Sequence, residues 1–169
     1  MNVEVINTGT ELLLGDIVNT SFQYLSRTLN DAGFNVLYQT TIGDNGDRLL
    51  EALSIALERA DIIITTGGLG PTRGDITKEM VARKLHLPLV PSAFWLDKLT
   101  RYFAARHVVM TENNKKQAMI PEGAVVFNND VGTAPGVGVW TPDHKLIVML
   151  PGPPAETTHV SVSYTHLRA

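Results

Sequence analysis

Apolar and polar residues along the chain follow two rhythms. Val3, Val5 and Ile6 form a short run of strand-forming residues that breaks at Thr8-Gly9. Phe22, Leu25, Leu29 and Ala32 then recur at helical spacing, and Gly33 suits the stop. NVLYQTTIG (35–43) reads as a strand, and Leu49, Leu50, Leu53, Ala56 and Leu57 give the next helical stripe. DIIITT (61–66) is short and uniformly apolar, as expected of a parallel strand buried on both faces. A glycine-rich loop and a helix through Ile76, Met80, Val81 and Leu85 follow. This alternation predicts an α/β fold with a mostly parallel sheet and helices on its faces.

Beyond Pro88 and Pro91 the rhythm changes. Helical stretches at about 92–106 and 112–119 precede AVVF, GVGVW and KLIVML, three closely spaced strands. No repeat or linker interrupts the chain, so residues 1–156 are expected to form one domain. The last segment, TTHVSVSYTHLRA (157–169), shows neither helical stripe nor strand alternation. It is expected to be an unstructured or foreign tail.

Composition narrows the function. With 169 residues and 44% hydrophobic content the chain can bury a core. A net charge of −3 gives no reason to expect nucleic acid as a partner, though a small phosphorylated ligand remains open. The absence of cysteine removes disulfides, thiolate metal sites and thiol nucleophiles. Without a signal-like start or a membrane-length apolar run, the expectation is a soluble, cytoplasmic protein with no membrane partner.

Ligands of open α/β sheets collect at the carboxyl ends of strands, beside helix N-termini. Here those ends carry NTGTE (7–11), IGDNGD (42–47) and TTGGLGPTRGD (65–75). The last holds four glycines, which let backbone amides approach and surround an anion. Thr65, Thr66 and Thr72 could add hydroxyl donors, while a plain strand-to-helix turn needs only one or two glycines. The stretch fits neither a P-loop, lacking Lys-Thr or Lys-Ser, nor a dinucleotide fingerprint, since Pro71 removes an amide and no acid follows at the right distance. Asp44 and Asp75 each precede a helical pattern, where they either cap the helix or hold a divalent metal or position water. Glu11 is a third candidate carboxylate, or a solvated loop residue. Lys116 either clamps phosphate or lies on a solvated face. The histidines show no metal-ligand spacing.

In order, GTELLLGDIVNT, TIGDN, the TTGGLGPT loop, NNKKQA, NNDVGTAPG and LPGPP resemble the N-terminal domain of the CinA competence/damage-inducible family, within the molybdopterin-binding proteins. The resemblance implies a three-layer α/β/α fold and hydrolysis of the diphosphate of ADP-ribose to AMP and ribose 5-phosphate. That activity would need a divalent metal and be helped by K+. Asp44 and Asp75 would be catalytic and, with Glu11, metal-binding. The implied substrate-binding residues are Thr8, Gly9, Thr10, Thr66, Gly67, Gly68, Gly70, Thr72, Lys116, Gln117, Gly132, Thr133, Pro151 and Gly152. Self-association and a following nicotinamide mononucleotide deamidase domain are also implied. The alternatives are a non-catalytic module for molybdopterin or a nucleotide, and molybdopterin adenylylation. Two departures matter: the family pattern places two adjacent acids where this chain has Gly74 and Asp75, and the terminal helix that follows PGPP in the family is expected to be replaced here by TTHVSVSYTHLRA.

Overall fold

The computed structural model describes residues 1–164. Strands β1 (Asn2–Thr8), β2 (Asn35–Ile42), β3 (Ile62–Thr66), β6 (Val125–Phe127), β7 (Gly136–Trp140) and β8 (Leu146–Leu150) form one sheet in the order β2-β1-β3-β8-β7-β6. The first four run parallel, and β7 is antiparallel to both its neighbours. A separate antiparallel pair joins β4 (Leu89–Pro91) to β5 (Met119–Pro121).

Alternate side chains of the central strands feed two cores. Ile6, Ile63, Ile147 and Met149 pack with Leu49, Leu53 and Ala56 of α3 (Gly46–Arg59) and Val81 of α4 (Thr77–Lys84). Val3, Val5, Ile64, Val148 and Leu150 point the other way, onto Leu25 and Leu29 of α2 (Thr20–Asp31) and Val160 of α7 (Pro154–Tyr164). Helices therefore cover both faces, and the three-layer α/β/α arrangement with a mostly parallel sheet is present. A third cluster, Trp95, Leu99 and Ala118, lies under α5 (Ala93–Ala105). Glu4 is buried in β1, where the Arg59 guanidinium donates to it twice at 2.8 Å and Thr40 donates at 2.7 Å. A buried carboxylate so fully paired is a structural one.

Two expectations need correction. The stretch at 112–119 is not one helix: α6 covers only Glu112–Lys115, a 3-10 turn spans Lys116–Ala118, and Met119 already belongs to β5. The chain from 157 is not unstructured up to Tyr164, because α7 runs through it. Proline opens this helix, where its missing amide is no loss. Thr157 donates its hydroxyl to the Pro151 carbonyl at 2.7 Å, and Val160 is fully buried. Residues 165–169 of the expected tail lie outside the described residues.

Candidate functional site

The carboxyl ends of β1, β2, β3 and β8 open onto one cleft of about 560 Å³. β1 supplies Thr8 and Gly9, and the short helix α1 (Thr10–Leu14) adds Glu11. Asp44 comes from the end of β2, and the loop after β3 adds Thr66, Gly67, Gly68, Gly70, Thr72 and Asp75. Pro151 and Gly152 follow β8, while Gln117 and Thr133 complete the sequence-predicted residues that line the cleft. These residues, scattered along the chain, do converge.

The glycines first serve close approach. Gly67 has φ of +94°, and a Cβ there would sit 2.5 Å from the Thr8 carbonyl oxygen. At Gly68 (φ +69°) a Cβ would overlap the Thr77 hydroxyl, which donates to the Gly67 carbonyl at 2.9 Å. Strand ends and the start of α4 thus meet backbone to backbone. The turn leaves the amides of Gly68, Leu69 and Gly70 with no acceptor among the described residues, beside the N-terminus of α4. Unused amides there favour an anion.

Two of the three loop hydroxyls are committed to the protein, and the buried Thr65 hydroxyl has no partner among the described residues. Thr66 donates to Asn7 at 3.0 Å and Thr72 to Asp75 at 2.5 Å. Thr65 is fully buried and does not line the cleft.

Neither aspartate is a helix cap. Asn45 caps α3, accepting from the Arg48 amide at 3.0 Å, and α4 has no side-chain cap. Asp44 instead accepts from the Thr10 amide at 3.4 Å and its hydroxyl at 3.2 Å. Asp75 turns back to the Thr72 amide at 2.9 Å. Thr10 therefore positions Asp44 from outside the cleft lining.

Lys116 also lies outside it. Its ammonium donates to the carbonyls of Thr72 (3.2 Å) and Asp75 and pairs with Glu79 at 3.2 Å. It fastens the glycine loop from behind. Gly132 likewise stands behind the lining, its amide donating to Asn129 at 3.1 Å.

Sequence reasoning missed Lys78, Asn129 and Glu156. Glu156 lines the cleft from the first turn of α7, directly after the Pro-Gly-Pro-Pro turn that could have signalled a helix start. Lys78 is buried and donates to the carbonyls of Lys116 (3.0 Å) and Gln117 (2.8 Å). Burial is the main cause that lowers its ammonium pKa from 10.5 to about 8. Between those values the unfolded chain binds the proton more tightly, so stability should rise with pH across that window. Urea titrations at pH values inside the window should move the stability difference from Lys78→Met in favour of the unaltered chain as pH increases. A difference that stays flat contradicts this.

The electrostatics of the cleft are one-sided. Four carboxylates line it (Glu11, Asp44, Asp75 and Glu156), and among the described lining residues there is no Lys, Arg or His. Among the described residues no three His, Asp or Glu side chains gather closely enough to form a metal cluster by themselves. Also among them, no helix is long and apolar enough to cross a membrane.

Comparison with known proteins places the chain in a family and a fold. Residues 4–166 match the family model described as "Probable molybdopterin binding domain". A competence-damage inducible protein of Bacillus cereus is 51% identical over 97% of this chain, and one of Bacillus anthracis is 50% identical over the same share. The chain spans about 40% of the length of these relatives. The crystal structure of CinA from Thermoplasma acidophilum superimposes with a TM-score of 0.91 at 30% identity, covering 98% of both chains. The molybdopterin biosynthesis enzyme MoaB of Thermus thermophilus shares the fold, with a TM-score of 0.66 at 19% identity over 99% of this chain and 91% of its own. The chain therefore belongs to the molybdopterin-binding domain family, in its CinA-like, competence-damage inducible branch.

Proposed function

We propose that this domain hydrolyses the diphosphate of ADP-ribose to AMP and ribose 5-phosphate with a divalent metal. The observation that carries the reading is the pairing of unused amides at 68–70 with four carboxylates and no lining cation. A diphosphate alone would be repelled by these acids, whereas a diphosphate carrying a hard cation would be held. The donor set fits such an ion: oxygen ligands only, with few protein carboxylates and room for phosphate oxygens, as magnesium prefers. Asp44 and Asp75 are the residues that would hold it, and Glu11 lines the same cleft without joining them in a three-carboxylate group.

When bound, the metal would neutralise diphosphate charge and make water a stronger nucleophile. The protein's own contribution is placement. Thr10 orients Asp44, the Thr72 amide and hydroxyl orient Asp75, and Lys116 with Lys78 fixes the loop that bears Asp75. The amides of Gly68, Leu69 and Gly70 offer donors to phosphate oxygens without reorganising, which favours charge that builds up in the transition state.

Release of AMP from ADP-ribose should require added divalent metal and stop on chelation. Metal-independent turnover contradicts the proposal. A second reading, non-catalytic binding of molybdopterin or a nucleotide, is favoured by Gly74, which offers no carboxylate beside Asp75. It predicts tight binding with no product. In both readings, self-association, K+ as a helper ion and a nicotinamide mononucleotide deamidase domain in the remaining length of the relatives stay proposals.

A further inference from the structure

Glu156 and Gln117 reach the cleft from segments that do not belong to the glycine loop. The turn at 129–134 is built around the Glu156 carboxylate. Asn129 is fully buried, its side-chain oxygen accepting from the amides of Val131 (3.0 Å) and Gly132 (3.1 Å). Its side-chain nitrogen donates to the Ala134 carbonyl (2.8 Å) and to one oxygen of Glu156 (2.7 Å). Every hydrogen-bonding position of Asn129 thus serves to shape the turn and aim the carboxylate. Gly132 has no side chain where a Cβ would overlap that carboxylate. Among the described residues no cation pairs with Glu156.

The next residue of the turn, Thr133, connects to a second acceptor. Its hydroxyl oxygen accepts from the Gln117 amide nitrogen at 3.1 Å. Gln117 is 1% exposed and lines the cleft, and its Oε1 has no partner. An unpaired buried acceptor is costly to keep, so it calls for a donor from a ligand. A phosphate oxygen cannot supply one at neutral pH. Hydroxyl groups can, and a carboxylate accepting from sugar hydroxyls is a recurring way of holding ribose.

We propose that Glu156, aimed by Asn129, and the Gln117 amide oxygen form a subsite for the hydroxyl groups of the ligand's sugar. The cleft is thereby divided: amide donors at the glycine loop take the diphosphate, and acceptors at the 129–134 turn take the pentose. This division rests on the proposed diphosphate reading. It also ranks ligands, favouring a hydroxylated sugar phosphate over a bare phosphate compound at that wall.

The test is calorimetric titration with ribose 5-phosphate and with inorganic pyrophosphate, both with magnesium, on the unaltered chain, Glu156→Gln and Gln117→Leu. Glu156→Gln keeps an oxygen for Asn129 but replaces the other acceptor with a donor. It should weaken ribose 5-phosphate at least about tenfold, the loss expected of a hydrogen bond to a charged group. Pyrophosphate affinity should change less than ribose 5-phosphate affinity, the melting temperature should stay unchanged, and Gln117→Leu should be selective in the same direction. Equal loss of both ligands, or no loss of either, overturns the sugar subsite. If the unaltered chain binds pyrophosphate but not ribose 5-phosphate, the subsite fails while the diphosphate reading stands. If it binds neither, both fall.

Discussion

Asp75→Asn should lower turnover of ADP-ribose at least about a hundredfold while leaving the fold in place, the scale of loss when one preorganised electrostatic group is removed. Asp75 has two jobs that this substitution separates. One carboxylate oxygen accepts from the Thr72 amide and hydroxyl, and the asparagine oxygen can take over that contact. The charge cannot be taken over. A neutral amide also presents a donor where a metal needs an acceptor. Because Gly74 supplies no neighbouring carboxylate, nothing beside Asp75 compensates. The loss should appear in kcat in the presence of saturating metal, with a melting temperature close to that of the unaltered chain. Full turnover in the variant would remove Asp75 from the chemistry.

Gly67→Ala should destabilise the fold by about 3 kcal/mol, combining a left-handed backbone with an overpacked contact. The new Cβ would lie 2.5 Å from the Thr8 carbonyl oxygen, so either β1 or the glycine loop must shift. Thr8 lies at the end of a central strand that is hydrogen-bonded on both sides, so the loop is the part that yields. For a domain of this size the melting temperature should fall by roughly 10 °C. A shift of the loop also displaces the amides at 68–70, so ligand affinity should fall even below the melting transition. A variant that melts with the unaltered chain would show that the close approach is not required.

Much of the sheet was legible because its burial is simple. β3 and β8 are covered on both faces, and continuous apolar runs announce that. The stripes of α2 and α3 show because one side of each helix meets the core. Helix α7 was hidden for the opposite reason: its described buried positions beyond Glu156 include Thr157 and Ser161, with Val160 as the apolar contact, so no stripe forms. The 112–119 stretch misled because apolar spacing cannot distinguish an α-helix from a 3-10 turn running into a strand.

The candidate site was legible as a set of strand-end loops, and less so as a set of roles. Asp44 and Asp75 read as helix caps by position, yet Asn45 takes one cap and α4 goes without the other. Lys116 looked like a phosphate clamp because charge and motif are visible in a sequence, whereas a carbonyl partner is not. Lys78 and Glu156 carried no signal by spacing. Their importance comes from what tertiary packing sets against them: two backbone carbonyls for Lys78 and the 129–134 turn for Glu156.

The most direct measurement is a single-turnover incubation of the purified chain, in excess over ADP-ribose, with magnesium and with products separated. AMP and ribose 5-phosphate should form in equal amounts in the unaltered chain and be absent from the Asp75→Asn chain and after chelation. Intact ADP-ribose in the unaltered chain, or the same products from the Asp75→Asn chain, would contradict metal-dependent hydrolysis at this cleft.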